Sequence, residues 1–141
     1  MAKKFILQVV TPGRQFFNEE VDRVEFKTSE GDIGIYQDHT PLTTPLAEGG
    51  MLTIRQDGKE KKAAIHGGFV EITPDKVTLL TDAAEWPDEI DKKRAEEAKI
   101  RAERRLKVEE EDINEIRAKS ALARSLVRID VSGAKSEEDE L

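Results

Sequence analysis

From Asp88 to Ser132 the chain contains neither proline nor glycine. A long run without either residue suits helix, because both interrupt the helical hydrogen-bond ladder or weaken it. The part before it is built the opposite way. Every proline lies at or before Pro87, eight of the nine glycines lie at or before Gly68, and all seven aromatic residues lie between Phe5 and Trp86. Turn-forming residues and bulky core formers therefore share the first three-fifths of the chain, and a different kind of structure must occupy the rest. Charge divides at the same place: residues 1–84 carry 23 charged side chains in 84, and residues 85–141 carry 30 in 57. These shifts predict three parts: a β-sandwich over 1–85, a helical hairpin over 86–132 and an acidic, disordered tail over 133–141.

Within the first part, short alternating runs are separated by turn signals. Strands are predicted at Lys3–Val10, Val21–Lys27, Gly31–Tyr36, Met51–Gln56, Lys61–His66, Gly68–Ile72 and Lys76–Asp82. Asp57-Gly58 between two of them is a hairpin signal, because both residues tolerate positive φ. Thr73-Pro74-Asp75 marks another turn. Strands at such spacing predict an antiparallel β-sandwich, and about 84 residues can bury one modest core.

In the second part, Asp88 is the predicted N-cap of a first helix running to about Leu106, with Asp91 inside its first turn. Ala95, Ala98, Ala102 and Leu106 share one small-residue face. Asp112 with Glu115 reads as a capping box opening a second helix. Ile113, Ile116, Ser120, Ala123 and Val127 recur on one face of that helix, and Gly133 stands where a C-cap belongs. The short, acidic connection Lys107–Glu111 makes the helices antiparallel neighbours. An alanine seam buries little apolar area, so this hairpin is predicted to detach from itself or from the sandwich when a better partner is available.

Most enzyme and nucleic-acid chemistry finds no support. There is no cysteine, no phosphate-loop motif and no metal-ligand spacing around the two histidines, His39 and His66, which read as structural or interfacial. No acid pair stands out for general acid–base work, and the net charge of −7 argues against nucleic acid as the main partner. Gly31, Gly34, Gly67 and Gly68 read as strand-turn glycines rather than a phosphate cradle. No signal peptide and no membrane-spanning run is expected.

One constellation remains. Folding the hairpin about residues 109–110 sets Arg94 near Ser125 and Asp91 near Arg128. Arg94, Arg124 and Arg128 should then converge at the open end, beside Glu85 and Trp86. Between Ile116 and Ile129 there are four basic residues and no acid. Such a cluster is either a solvated face with intrahelical pairs (Glu89–Lys93, Glu97–Arg101, Glu103–Lys107) or a site for a phosphate or an acidic protein.

These residues resemble the epsilon subunit of bacterial F-type ATP synthases over about residues 3–131. The resemblance is carried by KTSEGDIGIYQDHTPL (Lys27–Leu42), HGGFVEI (His66–Ile72), AAE (Ala83–Glu85), IDKKRA (Ile90–Ala95) and RAERRL (Arg101–Leu106). It implies a non-catalytic rotor subunit, peripheral on the cytoplasmic face of the cell membrane. Its sandwich would pack on the gamma subunit and the c-ring, with Glu30, Gly31 and Asp32 facing the c-ring and His39 near gamma. It implies a mobile hairpin whose basic second helix, with Arg117, Lys119, Arg124 and Arg128, meets an acidic segment of a catalytic beta subunit and blocks hydrolysis. Ile90, Asp91, Arg94 and Ala95 match the family's I/L-D-x-x-R-A motif for ATP as a regulatory ligand. Glu85, Arg101, Arg124 and Arg128 stand where further contacts belong, and any role of magnesium is left open. A free-standing nucleotide sensor and a helical-hairpin adapter are the competing readings; co-purification with synthase subunits separates them from the first.

Overall fold

The computed structural model describes residues 4–37, 40–107 and 112–133, with 112–114 as backbone only. His39, most of the interhelical connection, the Asp112 side chain and the tail beyond Gly133 lie outside the described residues.

Alternation sets the core. Strand β1 (Phe5–Val10) buries Phe5, Leu7 and Val9, and β3 (Arg23–Thr28) buries Val24 and Phe26. Further strands are β2 (Gln15–Val21), β4 (Gly31–Ile35), β5 (Leu42–Pro45), β6 (Gly50–Gln56), β7 (Lys59–His66), β8 (Phe69–Thr73), β9 (Lys76–Leu80) and β10 (Ala83–Glu85). They form two five-stranded sheets, ordered β2-β1-β9-β8-β5 and β10-β7-β6-β3-β4. Leu52, Ile54, Ile65, Val70, Ile72, Val77 and Leu79 complete one apolar core between them. The sandwich is thus as expected, with one refinement: β1 and β9 pair in parallel, while the other pairs are antiparallel.

The Asp57-Gly58 turn behaves as its chemistry requires, with φ of 53° and 78° joining β6 to β7. Three strands escaped the sequence reading for identifiable reasons. In β2 the pairing with β1 shifts between Val9 and Val10, so adjacent Phe16 and Phe17 are both buried and alternation is lost. β5 is an edge strand ending in Pro45, a residue tolerated there because it need not donate to the ladder. β10 is only three residues long.

Strand β7 carries the hairpin. Its Ala63 and Ile65 point into the core, yet Ala64 and His66 on the opposite face are also buried. They are covered because α2 (Asp112–Ser132) lies over β6 and β7. At Gly49, just before β6, the approach is closest: an added Cβ would stand 2.8 Å from the Ala123 carbonyl oxygen and 3.1 Å from Val127 Cγ2. Helix α1 (Lys92–Lys107) packs against α2.

The helices correct several expectations. Pro87–Glu89 form a separate 3-10 turn, Ile90 is extended (φ −94°, ψ 125°), and α1 begins only at Lys92. Its cap is Asp91, whose carboxylate accepts the Arg94 N–H at 3.1 Å, and not Asp88. The proline-fixed 3-10 turn ends too early to continue as α-helix. Ala95 and Ala102 are buried as expected, but in α2 the buried positions are Ala118, Ser125 and Val131, and Ile116 is exposed. Ala123 and Val127 turn instead to Gly49 on the sandwich, so α2 covers two neighbours with different faces. Gly133 follows α2 and donates to the Ile129 carbonyl at 3.2 Å, without a left-handed φ. Among the described residues the intrahelical ion pairs are Lys99–Glu103 and Glu115–Lys119 rather than those expected.

Candidate functional site

The end of the sandwich fixes where the hairpin starts. Trp86 stacks on Phe16 with centroids 4.4 Å apart and meets Phe17 edge-on at 6.2 Å. Arg14 donates to both oxygens of Glu89 at 2.8 and 2.9 Å, and to the Ala84 carbonyl at 3.3 Å. Glu89 also accepts the Trp86 N–H at 3.0 Å. The Arg14 hydrogen bond, helped by that backbone donor, holds the Glu89 carboxyl below its ordinary range despite some burial. The entry to the hairpin is thereby pinned to β2, and Trp86 lies away from the arginine cluster it was expected to border.

Beyond this anchor, a cavity of about 410 Å³ opens between the two helices and the end of β10. Ile90, Asp91, Arg94 and Ala95 line it, so the whole motif faces one space. Glu85, Arg101 and Arg128 of the predicted set also line it, joined by Glu89 and Ala98. Each residue arrives for a local reason. The extended Ile90 breaks the chain direction, Asp91 caps α1, Arg94 and Arg101 project from α1, and Arg128 comes from the far end of α2. Arg124 is the exception among the predicted contacts: it reaches toward Glu48 at 4.0 Å.

Charges in the cavity are unevenly satisfied. Arg128 Nε donates to Glu85 Oε1 at 2.7 Å, Glu89 is committed to Arg14, and Asp91 is committed to the helix cap. Arg94 and Arg101 form no ion pair within 4 Å among the described residues. Two guanidinium forks and the N-terminus of a 16-residue helix thus face one cavity, an arrangement that favours a multiply charged anion.

His66 is structural and interfacial, as its isolation in the sequence suggested, but its place beside Glu85 was not foreseen. Its Nε2 lies 3.0 Å from Glu85 Oε1, the oxygen that also receives Arg128. Burial lowers its pKa; the Glu85 hydrogen bond opposes this, and Arg128 and Arg124 add to it. The available signal was its parity on β7, opposite in facing to Ile65. That signal means burial only once a helix is known to cover the outer face.

The predicted partner residues lie elsewhere. Arg117 and Lys119 are exposed on α2. Glu30 and Asp32 are exposed at the turn joining β3 to β4, where the left-handed Gly31 (φ 130°) accepts the Thr28 hydroxyl at 2.8 Å. Nearby, register places Val10, Leu80, Phe69 and Pro45 side by side across the outer face of the other sheet. Phe69 is 44% exposed and Leu80 36%. The Pro45 carbonyl accepts the Ser29 N–H at 3.1 Å, joining this apolar row to the acidic turn. Among the described residues no group of three or more His, Cys, Asp or Glu side chains could hold a metal, and no helix is long and apolar enough to cross a membrane.

Comparison with known proteins agrees with this architecture. Residues 4–87 match the family model described as ATP synthase, Delta/Epsilon chain, beta-sandwich domain, and residues 88–133 match its long alpha-helix domain. An ATP synthase epsilon chain of Caldanaerobacter subterraneus is 46% identical over 137 residues, covering 97% of this chain and 99% of the relative. One from Alkaliphilus metalliredigens is 52% identical over 109 residues, covering 77% and 81%. A chain in the Euglena gracilis mitochondrial ATP synthase OSCP/F1/c-ring structure superposes with a TM-score of 0.78 at 24% identity, covering 87% of this chain and 78% of that one; at that identity the likeness speaks for the fold.

Proposed function

The chain belongs to the ATP synthase delta/epsilon family, and from that premise we propose that it is a non-catalytic rotor subunit whose hairpin senses ATP and restrains hydrolysis. The sandwich couples the gamma subunit to the c-ring, peripheral to the membrane on its cytoplasmic face. The apolar row Val10–Leu80–Phe69–Pro45 suits a protein partner such as gamma, and the adjoining Glu30-Gly31-Asp32 turn suits the polar loops of a c-ring.

The hairpin works by exchange of partners. Docked, α2 has Arg128 on Glu85 and Arg124 toward Glu48, so half of its basic face is held by sandwich carboxylates. Released, those two arginines join Arg117 and Lys119 to present an uninterrupted cationic surface to an acidic segment of a beta subunit. The one observation that carries the nucleotide reading is the cavity in which Arg94 and Arg101 have no carboxylate partner among the described residues while Arg128 reaches in from the other helix. ATP phosphates between them would tie α1 to α2 and favour the compact state. A ligand that binds one state alone stabilises it by RT ln(1 + [L]/Kd), about 2.7 kcal/mol at a hundredfold excess. That is enough to govern a seam made of small residues.

Calorimetric titration of the isolated chain tests this. ATP should bind the wild type at or below millimolar concentration, and Arg94→Ala or Arg128→Ala should abolish the heat. Absence of binding by wild-type protein at millimolar ATP would end the sensor reading and leave family membership standing. Rotor membership is tested by co-purification with gamma and its complex.

A further inference from the structure

His66 is the one buried histidine among the described residues, and it lies where sandwich and hairpin meet. Its position has three geometric consequences. Nε2 bonds Glu85 on β10. Nδ1 is buried with no hydrogen-bond partner among the described residues. Thr81 fixes the backbone at both sides of the residue: its hydroxyl accepts the His66 N–H and sits 3.2 Å from the His66 carbonyl. A neutral imidazole with its proton on Nε2 fits this site, donating to Glu85 and leaving Nδ1 as a bare lone pair. Glu85 Oε1 is then held in place to receive Arg128 Nε from α2.

We propose that His66 is the positioning residue of the hairpin clasp: its neutral imidazole presents Glu85 to Arg128, and protonation of that imidazole releases α2 from the sandwich. The inference rests on the reading of the hairpin as mobile. A proton added at Nδ1 would be a buried donor without an acceptor. The imidazolium would also face Arg128 and Arg124 of α2 across a single carboxylate, Glu85 of β10. Two other acids, Asp82 and Glu48, stand beside Gly67; Glu48 also faces Arg124, and neither bonds the His66 ring. When α2 leaves, both arginines leave with it, and the His66–Glu85 pair remains on the sandwich as a favourable ion pair.

The direction of the effect follows from linkage. Docking lowers the affinity of His66 for a proton, through burial first and the two arginines second. The clasp is therefore at full strength above the ordinary histidine pKa of about 6.5 and weakens as pH falls below it. With nucleotide absent, the docking equilibrium should drop by up to about tenfold between pH 7.5 and pH 5.5.

The chain has no cysteine, so a spin-label pair can be placed cleanly through Lys59→Cys on β7 and Asp130→Cys on α2. Pulsed distance measurements without ATP read the docked population directly. In the otherwise wild-type protein that population should fall on acidification. His66→Gln, whose amide donates to Glu85 without titrating, should hold it constant. A population that ignores pH in the wild type, or falls equally in His66→Gln, overturns the proposal. Should His66→Gln fail to fold, NMR titration of the wild-type imidazole decides: Arg128→Ala must raise the pH at which His66 titrates, and an unchanged midpoint overturns the clasp. No arm contains nucleotide, so a failed ATP titration and a failed pH response remain separate results.

Discussion

The sandwich and the hairpin are stabilised by different means. Between the sheets, phenylalanine, leucine, isoleucine and valine side chains from strands distant in sequence are fully enclosed. In the helices the buried described positions are Ala95, Ala102, Ala118, Ser125 and Val131. A fully buried leucine or phenylalanine contributes roughly 1.5–3 kcal/mol of apolar burial, and an alanine much less. The hairpin keeps its place instead through a close backbone approach at Gly49, Arg128 on Glu85, Arg124 toward Glu48 and the Arg14–Glu89 anchor at its entry. A well-packed sandwich thus carries an element whose attachment rests on a few polar and steric contacts, and that contrast is the premise of the proposed control by an anion or a proton.

Four substitutions probe that contrast. Leu7→Ala opens a cavity in the sandwich core and should cost about 2–5 kcal/mol in chemical denaturation, unfolding sandwich and hairpin attachment together. Gly49→Ala should cost about 1–3 kcal/mol, confined to docking, because the added Cβ meets α2 and Gly49 has no left-handed φ to preserve. Hydrogen exchange would then show α2 amides exchanging fast while β1 and β9 stay protected; equal loss in both regions would erase the proposed independence. Asp91→Ala removes the cap of α1 and should cost about 1 kcal/mol, seen as reduced helical circular dichroism at an unchanged sandwich midpoint. The smallest effect belongs to the exposed Arg14–Glu89 pair. Glu89 has a lowered pKa in the fold, so its contribution is present above its ordinary value of about 4.5 and is lost as pH falls through the lowered one. Trp86 fluorescence should report a slight acid-induced loosening that Arg14→Ala removes.

Much of the architecture was legible because it is periodic. Strands such as β1 and β3 announce themselves by alternation, and the Asp57-Gly58 turn by residues that accept positive φ. That Ile90, Asp91, Arg94 and Ala95 line one space with Glu85 and Arg101 was anticipated through the family resemblance rather than from any period in the sequence. The less local details went astray. The two-faced packing of α2 left Ile116 exposed and sent Arg124 to Glu48. The bulge beside Val10 hid β2.

By itself, the sequence determined that a turn-rich, aromatic β part precedes a breaker-free helical part, since periodicity and backbone preference act over a few residues at a time. Tertiary structure alone decided that His66 is buried, that Gly49 is a docking point and that Glu85 serves both His66 and Arg128. Each of these depends on α2 lying on the outer face of β7, and a contact between elements some sixty residues apart leaves no period in either one.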